Sequence, residues 1–246
     1  MPDDLREISG IAFRNGKSDS LFAEEDENGR VYYLKLGDKN AAYTTFKESG
    51  DFEDIAICDD HVVMLQSSGV LFTFPLSEIR KQKPDHVNKI EDMLPEGEYE
   101  GMCADDKGKL LYVLCKHCSD DKTSENSSGY IFKLSADGSV QKAGKFNIDV
   151  KNIESLTGVK KIKFHPSALA HNNSTNEWFV LSSVNKLLVT CDEDWKVKAV
   201  YKLDEQTFPQ PEGMAFDEQN NLYISNEGQG VTSGNVLKFT YKGVNG

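Results

Sequence analysis

Three glutamates recur at one position of a repeated strand motif. They are Glu53 in Phe52-Glu53-Asp54-Ile55-Ala56-Ile57, Glu100 in Tyr99-Glu100-Gly101-Met102-Cys103-Ala104 and Glu212 in Pro211-Glu212-Gly213-Met214-Ala215-Phe216. Two more copies carry serine there, Ser9 in Ile8-Ser9-Gly10-Ile11-Ala12-Phe13 and Ser167 in Pro166-Ser167-Ala168-Leu169-Ala170-His171. If the repeats close about an axis, the three carboxylates meet, and like charges at short range do not all ionise without compensation. A divalent cation with oxygen ligands supplies it, and Ca²⁺ tolerates irregular shells of about six to eight oxygens. A second reading makes each Glu or Ser a lock, hydrogen-bonded to the backbone of the next repeat. A third makes the carboxylates direct acid–base catalysts.

Side chains two apart on a strand share a face, so Glu7, Asp51, Glu98, His165 and Gln210 lie one step out from the anchors. The following strand runs back antiparallel. Its last residues return to the same end at Glu25-Asp26, Gln66-Ser67, Cys115-Lys116, Ser182-Ser183 and Asn226-Glu227. Lys116, with Lys186 behind it, offers partial charge compensation.

Other chemistry is poorly supported. The five histidines show no metal-ligand spacing, and Ser182-Ser183 lies in no G-x-S-x-G elbow. Gly228-Gln229-Gly230 with Gly234 follows a strand but opens no helix, so it reads as a loop and not a nucleotide fingerprint. Asn126-Ser127-Ser128 and Asn172-Asn173-Ser174 match the glycosylation pattern, a match that Ser/Asn-rich turns produce by chance. The run Lys160-Lys161-Ile162-Lys163 reads as a solvated edge. An odd count of five cysteines argues against a disulfide framework, and Cys115-Lys116-His117-Cys118 has no second pair to complete a zinc site. It reads as a buried strand-end thiol beside a loop thiol, with a local redox or metal role as the alternative.

The elements that must position these residues follow from the period. The anchors Ser9, Glu53, Glu100, Ser167 and Glu212 are spaced by 44, 47, 67 and 45 residues, and the run from Glu212 through the C-terminus and on from Met1 to Ser9 is another 43. That near-closure favours a ring. Each anchor leads short strands rich in Val, Ile, Leu, Tyr and Phe, with second members at 21–23, 62–65, 111–114, 178–181 and 222–225. Third strands follow at 31–36, 70–75, 130–134, 186–190 and 236–241, and more polar fourth strands at 43–47, 86–90, 144–148 and 200–203. Four short antiparallel strands per repeat make a propeller blade. The expected architecture is all-β: a single domain over residues 1–246, a five-bladed β-propeller of four-stranded antiparallel blades. The fifth repeat lacks an obvious fourth strand. Either Pro2–Arg6 supply it or that blade is incomplete. The long third repeat holds two insertions: Ser119–Ser128, polar and read as a mobile loop, and Asp149–Leu156, read as a short helix ahead of Gly158.

Composition bounds the partners. Apolar residues at 38% and aromatics at 10% are enough for a real core, and a formal charge of −12 disfavours nucleic acid and anionic membrane surfaces. No apolar run reaches the roughly 20 residues of a spanning helix, so no transmembrane segment is expected, and Met1-Pro2-Asp3-Asp4 is no signal peptide.

The assembled segments resemble the SdiA-regulated (YjiK-like) propeller family in its Bacteroidetes version. They are Glu7–Ala12, Asp51–Ala56, Tyr99–Met102, Leu111–Cys118, Phe164–Leu169, Val184–Leu188 and Pro211–Glu227. The resemblance implies a β-propeller exported to the bacterial envelope, periplasmic or lipid-anchored, binding a small molecule or envelope protein. Some relatives are described as calcium-responsive and compared with five-bladed phytases, which hold Ca²⁺ in the channel mouth. Carried over, that puts Glu53, Glu100 and Glu212 near a cation, with Asp54, which stands where the family usually has Gly, as a fourth carboxylate. The rest of the expected mouth is Glu7, Ser9, Glu25, Asp51, Glu98, Lys116, His165, Ser167, Asn226 and Glu227. The expected function is a binding or scaffolding module with a calcium-binding mouth. The alternatives are a Ca²⁺-dependent hydrolase, phytase-like or lactonase-like, and a metal-free protein–protein platform. A phytase also needs several basic groups around its phosphate, and few are in sight here.

Overall fold

Alternating apolar residues two apart give each strand two packed faces, and a sheet packed on both faces needs a neighbour on each side. A ring of sheets meets that demand. In the computed structural model, which describes residues 1–119, 121, 125–228 and 232–242, five antiparallel sheets form this ring. The first blade comprises β1 (Ile8–Arg14), β2 (Lys17–Glu25), β3 (Arg30–Leu34) and β4 (Ala42–Thr45), and the second β5 (Phe52–Cys58), β6 (His61–Gln66), β7 (Leu71–Pro75) and β8 (Asn88–Ile90). The third holds β9 (Gly97–Asp105), β10 (Leu110–Cys118), β11 (Asn126–Leu134) and β12 (Val140–Asp149). After the helix α1 (Val150–Thr157) come β13 (Ala168–Asn172), β14 (Glu177–Ser182), β15 (Leu187–Cys191) and β16 (Val197–Lys202). The fifth sheet has three strands among the described residues: β17 (Pro211–Phe216), β18 (Leu222–Asn226) and β19 (Asn235–Phe239).

The first strands β1, β5, β9, β13 and β17 touch one another in cyclic order and surround the axis. Five separate apolar clusters fill the five seams, such as Phe22, Phe46, Phe52 and Phe72 between the first two blades. An aromatic group of Tyr112, Phe146, Trp178 and Trp195 joins the third blade to the fourth. Glycine at Gly10 and Gly213 lets inner strands approach: a Cβ there would lie 2.7 Å from the Asp54 Cα and 3.1 Å from the Gly10 Cα respectively.

Three expectations change. Pro2–Arg6 supply no strand: Asp3–Leu5 form a single 3-10 turn whose Leu5 is fully buried in the seam between the last and first blades. The Arg6 carbonyl accepts from Gly228 N at 2.8 Å, so the N-terminal segment closes the ring by packing. The segment read as a loop to Ser128 becomes strand at Asn126, because Ser127 donates to the Cys115 carbonyl and Ser128 Oγ reaches both Asp121 and Asn147. Residues 120 and 122–124 of that segment, and Gln229 and Gly230 of the glycine-rich loop, lie outside the described residues. Finally, Cys115 and Cys118 are both on β10 and form a disulfide, with Cα atoms 5.9 Å apart. A regular strand would hold residues three apart at roughly 10 Å, and a register shift at this point in β10 closes the distance. The short helix stands as expected, with Asp149 as N-cap accepting from Lys151 N and Gly158 in the left-handed conformation after its end.

Candidate functional site

A propeller's inner strand turns its side chains toward the two adjacent seams and only its backbone edge toward the axis. A side chain reaches the axis when the alternation is interrupted. The pairing of β1 with β2 shifts register between Ile8 and Ile11, that of β5 with β6 between Phe52 and Asp54, and that of β17 with β18 between Pro211 and Gly213. On β9, Tyr99 and Gly101 face consecutive residues of β10, which leaves Glu100 as the extra residue. Glu53, Glu100 and Glu212 are therefore each the bulged residue of an inner strand, and bulges re-aim side chains. Lys116 is bulged in the same way, lying between Cys115 opposite Tyr99 and His117 opposite Glu98.

These bulges line a cavity of about 200 Å³ at one end of the axis. Its wall carries Glu53, Glu100 and Glu212, together with Glu7, Asp26, Asp51 and Glu227, against one lysine among the described residues, Lys116. Ser9, His165, Ser167, Ser183, Val184 and Gln210 complete it. Lys116 Nζ is paired with Glu100, and Gln210 donates to Glu227.

The anchors divide by residue type. The serines lock: Ser9 Oγ donates to the Glu53 carbonyl and Ser167 Oγ to the Pro211 carbonyl, each at 3.3 Å and each one blade onward. Ser225 Oγ continues the pattern, donating to the Ser9 carbonyl at 2.6 Å. The glutamates instead face one another. Burial first, then Glu100 and Asp51, push the Glu53 carboxyl up to about 8, with Lys116 and Ser67 opposing. Burial and then Glu100 raise Glu212 to about 7. Glu100 is also raised, by burial above all, although Lys116 holds it down. Burial works against the Lys116 ammonium, but Glu100, Glu53 and Glu212 outweigh it and its pKa ends above the ordinary value.

A second acidic group sits on the same rim. Glu7, Glu25 and Asp26 bring one carboxylate oxygen each within 4.8 Å of one another, a spacing that suits a cation. Asp26 is raised to about 6 by burial, then Glu7 and Glu25, and its Oδ1 is buried without a hydrogen-bond partner among the described residues. An orphaned acceptor among carboxylates fits a cation better than it fits an anion or an empty apolar pocket.

Of the residues expected in the mouth, Asp54, Glu98 and Asn226 sit elsewhere, and Glu25 joins the rim group of Glu7 and Asp26 without lining the cavity. Asp54 follows the bulge, so it returns to the seam, where it accepts from Ile55 N at 2.8 Å and Met102 N at 2.6 Å. It is 3% exposed and is a latch between blades, not a ligand of the ring. Glu25 accepts from Glu27 N and Asn28 N and holds the turn behind the rim. Glu98 is exposed and paired with His117 Nδ1 at 2.9 Å. Asn226 is buried, donating to Asn235 Oδ1 at 3.1 Å. Lys186 also turns away, donating to the Pro209 carbonyl at 2.6 Å. Sequence reasoning missed Glu24, whose Oε1 accepts from Gly10 N at 2.6 Å in the first seam. Its signal was its place two residues from Phe22, on the face that packs.

The family model described as SdiA-regulated matches residues 3–229. A search of curated proteins finds no match. Among solved structures, the glutaminyl cyclase of Myxococcus xanthus is similar at a TM-score of 0.63 and 12% identity, covering 94% of this chain and 89% of its own. The calcium-binding protein regucalcin of Agrobacterium tumefaciens is similar at a TM-score of 0.54 and 14% identity, over 93% of this chain and 84% of its own. At such identities the likeness is one of fold.

Proposed function

The chain belongs to the SdiA-regulated family, and we propose that it is a binding module whose acidic channel mouth takes a divalent cation, calcium being the best fitted. One observation carries this reading: bulges and strand ends gather seven carboxylates around about 200 Å³ with one lysine to balance them. Glu53, Glu100 and Glu212 would hold the ion from three blades, or Asp26 with Glu7 at the rim. Hard oxygen donors in an irregular set suit Ca²⁺ better than the strict octahedron of Mg²⁺. Regucalcin, which shares the fold, is described as calcium-binding, which agrees with the reading without assigning a residue. The envelope location implied by the resemblance belongs to the same proposal, and fractionation of cells making the full-length product tests it.

Calorimetric titration of Ca²⁺ into EDTA-stripped protein is the direct test. We expect saturable heat and a rise in melting temperature, since a ligand at a hundred times its Kd adds about 2.7 kcal/mol to the native state. No heat with Ca²⁺, Mg²⁺ or Mn²⁺, and melting indifferent to EDTA, would sink the metal reading.

A second reading is a metal-dependent hydrolase. What favours it is that burial and neighbouring carboxylates raise Glu53 and Glu212 in the metal-free mouth to about 8 and about 7, so each can exchange a proton near neutral pH. A cation held by part of the set would polarise water, and a carboxylate of the set that is ionised and not holding the cation would accept the proton. Turnover of a panel of phosphomonoesters and lactones, lost in Glu212→Gln, would promote this reading over simple binding.

A further inference from the structure

Beside the acidic mouth lies a second cavity of about 460 Å³, and its chemistry is the reverse. Two lysines and two histidines, Lys116, Lys163, His117 and His165, stand on its wall with the amide of Asn126 and the hydroxyl of Ser127. Its one carboxylate among the described residues, Asp121, is already engaged, accepting from Ser128 N at 3.2 Å and Ser128 Oγ at 2.5 Å. Val150 and Phe164 give it an apolar floor.

The cavity exists because the third repeat is long. Asn126 and Ser127 begin the strand after its first insertion, Val150 starts the inserted helix, and Lys163–His165 lie on the return to the fourth blade. A propeller blade needs none of this chain to close. The groups are also held in place. Asn185 Oδ1 accepts from His165 N at 3.1 Å, and the His165 carbonyl accepts from Ser182 Oγ at 2.6 Å. The His117 and His165 rings lie 4.3 Å apart, and Glu98 fixes His117 through its Nδ1. His165 Nδ1 is buried with no partner among the described residues. Lys163 is exposed and makes no ion pair among them, whereas Lys116 is committed to Glu100.

We propose that this cavity is an oxyanion subsite, taking the carboxylate or phosphate of a small ligand between Lys163, His165 and the edge of Lys116. Lys163 supplies the free charge, the His165 ring stands on the wall beside it, and the amide of Asn126 offers further donors. Charge-assisted contacts of this kind dominate such recognition. Burial first, then His117, Lys116 and Lys163, lower the His165 pKa, so its ring is a neutral donor and the lysine carries the charge. Because Lys116 and His165 line both cavities, a ligand held here reaches the rim of the mouth. The subsite stands whether or not the mouth binds metal.

The test is a titration of EDTA-treated protein with sodium phosphate and, separately, sodium succinate, at constant ionic strength, followed by amide and histidine-ring NMR shifts. Saturable shifts at Lys163, His165 and His117 with either anion support the subsite, and the anion that binds tighter names the class. Lys163→Glu should weaken that binding about tenfold or more, which is about 1.4 kcal/mol, with melting unchanged. Lys160→Glu, a charge reversal outside the cavity, should leave it within about twofold. Shifts that grow linearly with both anions, or that are equal in wild type and Lys163→Glu, overturn the proposal.

Discussion

Glu53 and Asp54 are neighbours in the chain and end in two different regions of the molecule. Glu53 is the bulged residue and looks down the axis; Asp54 resumes the alternation and enters the seam between the second and third blades. Burial raises both carboxyls. The partners differ: Asp54 meets two backbone N–H groups, while Glu53 meets Glu100 and Asp51. A buried acidic group whose oxygens are satisfied holds a fold together, and one that faces its own kind stores repulsion that a cation relieves. Seam and mouth should thus respond to mutation with opposite signs.

Asp54→Ala is the largest expected effect. Two buried amides would lose their acceptor, at about 1–3 kcal/mol each where no water enters, so a loss of about 3 kcal/mol in urea unfolding is expected. A loss under about 1 kcal/mol would remove the latch from the account.

The pH response of the mouth comes next. With folded values of about 8 for Glu53 and about 7 for Glu212, both carboxyls stay protonated in the native state where the unfolded chain has already ionised. The unfolded state therefore binds fewer protons, and metal-free protein should lose stability as pH rises from about 5 through about 8. Excess Ca²⁺ should reverse that slope, since the ionised carboxylates are the ligands. Melting curves at pH 5, 7 and 8.5, with EDTA and with Ca²⁺, show whether the two slopes differ.

Glu53→Gln sharpens the contrast at a single side chain. It removes one member of the repelling set, so metal-free protein at pH 8.5 should gain about 1 kcal/mol while Ca²⁺ affinity falls about tenfold. Destabilisation with unchanged calcium affinity would make Glu53 a lock like its serine counterparts. The smallest effect belongs to neither region. The Arg14–Asp60 pair has side chains 52% and 75% exposed, and Asp60→Asn should change stability by less than about 0.5 kcal/mol.

Much of the site was legible because repeats carry register with them. Aligning five anchors placed Glu53, Glu100, Glu212, Ser9 and Ser167 at one end of the axis without any contact being known. The strand-return argument likewise brought Lys116 and Glu227 to that end. Parity counting failed where alternation is broken or side chains serve turns. Asp54 was counted with the ring through the family resemblance, as a carboxylate where relatives carry Gly, and Glu98 and Asn226 were carried into the mouth by their places on the strands. The Cys115–Cys118 bridge was missed because the odd cysteine count set disulfides aside, and only a bulged strand can close on a residue three along.

The sequence alone determined the number of repeats, the strand-forming runs and the recurrence of acid at the anchors, because these follow from local pattern and period. Only the tertiary structure decided which neighbour of each pair faces the axis, and which insertion walls a basic cavity beside an acidic one. A bulge is one extra residue between paired strands. Whether it forms depends on the partner strand and the packing of the next blade, and neither is written in the bulged segment itself.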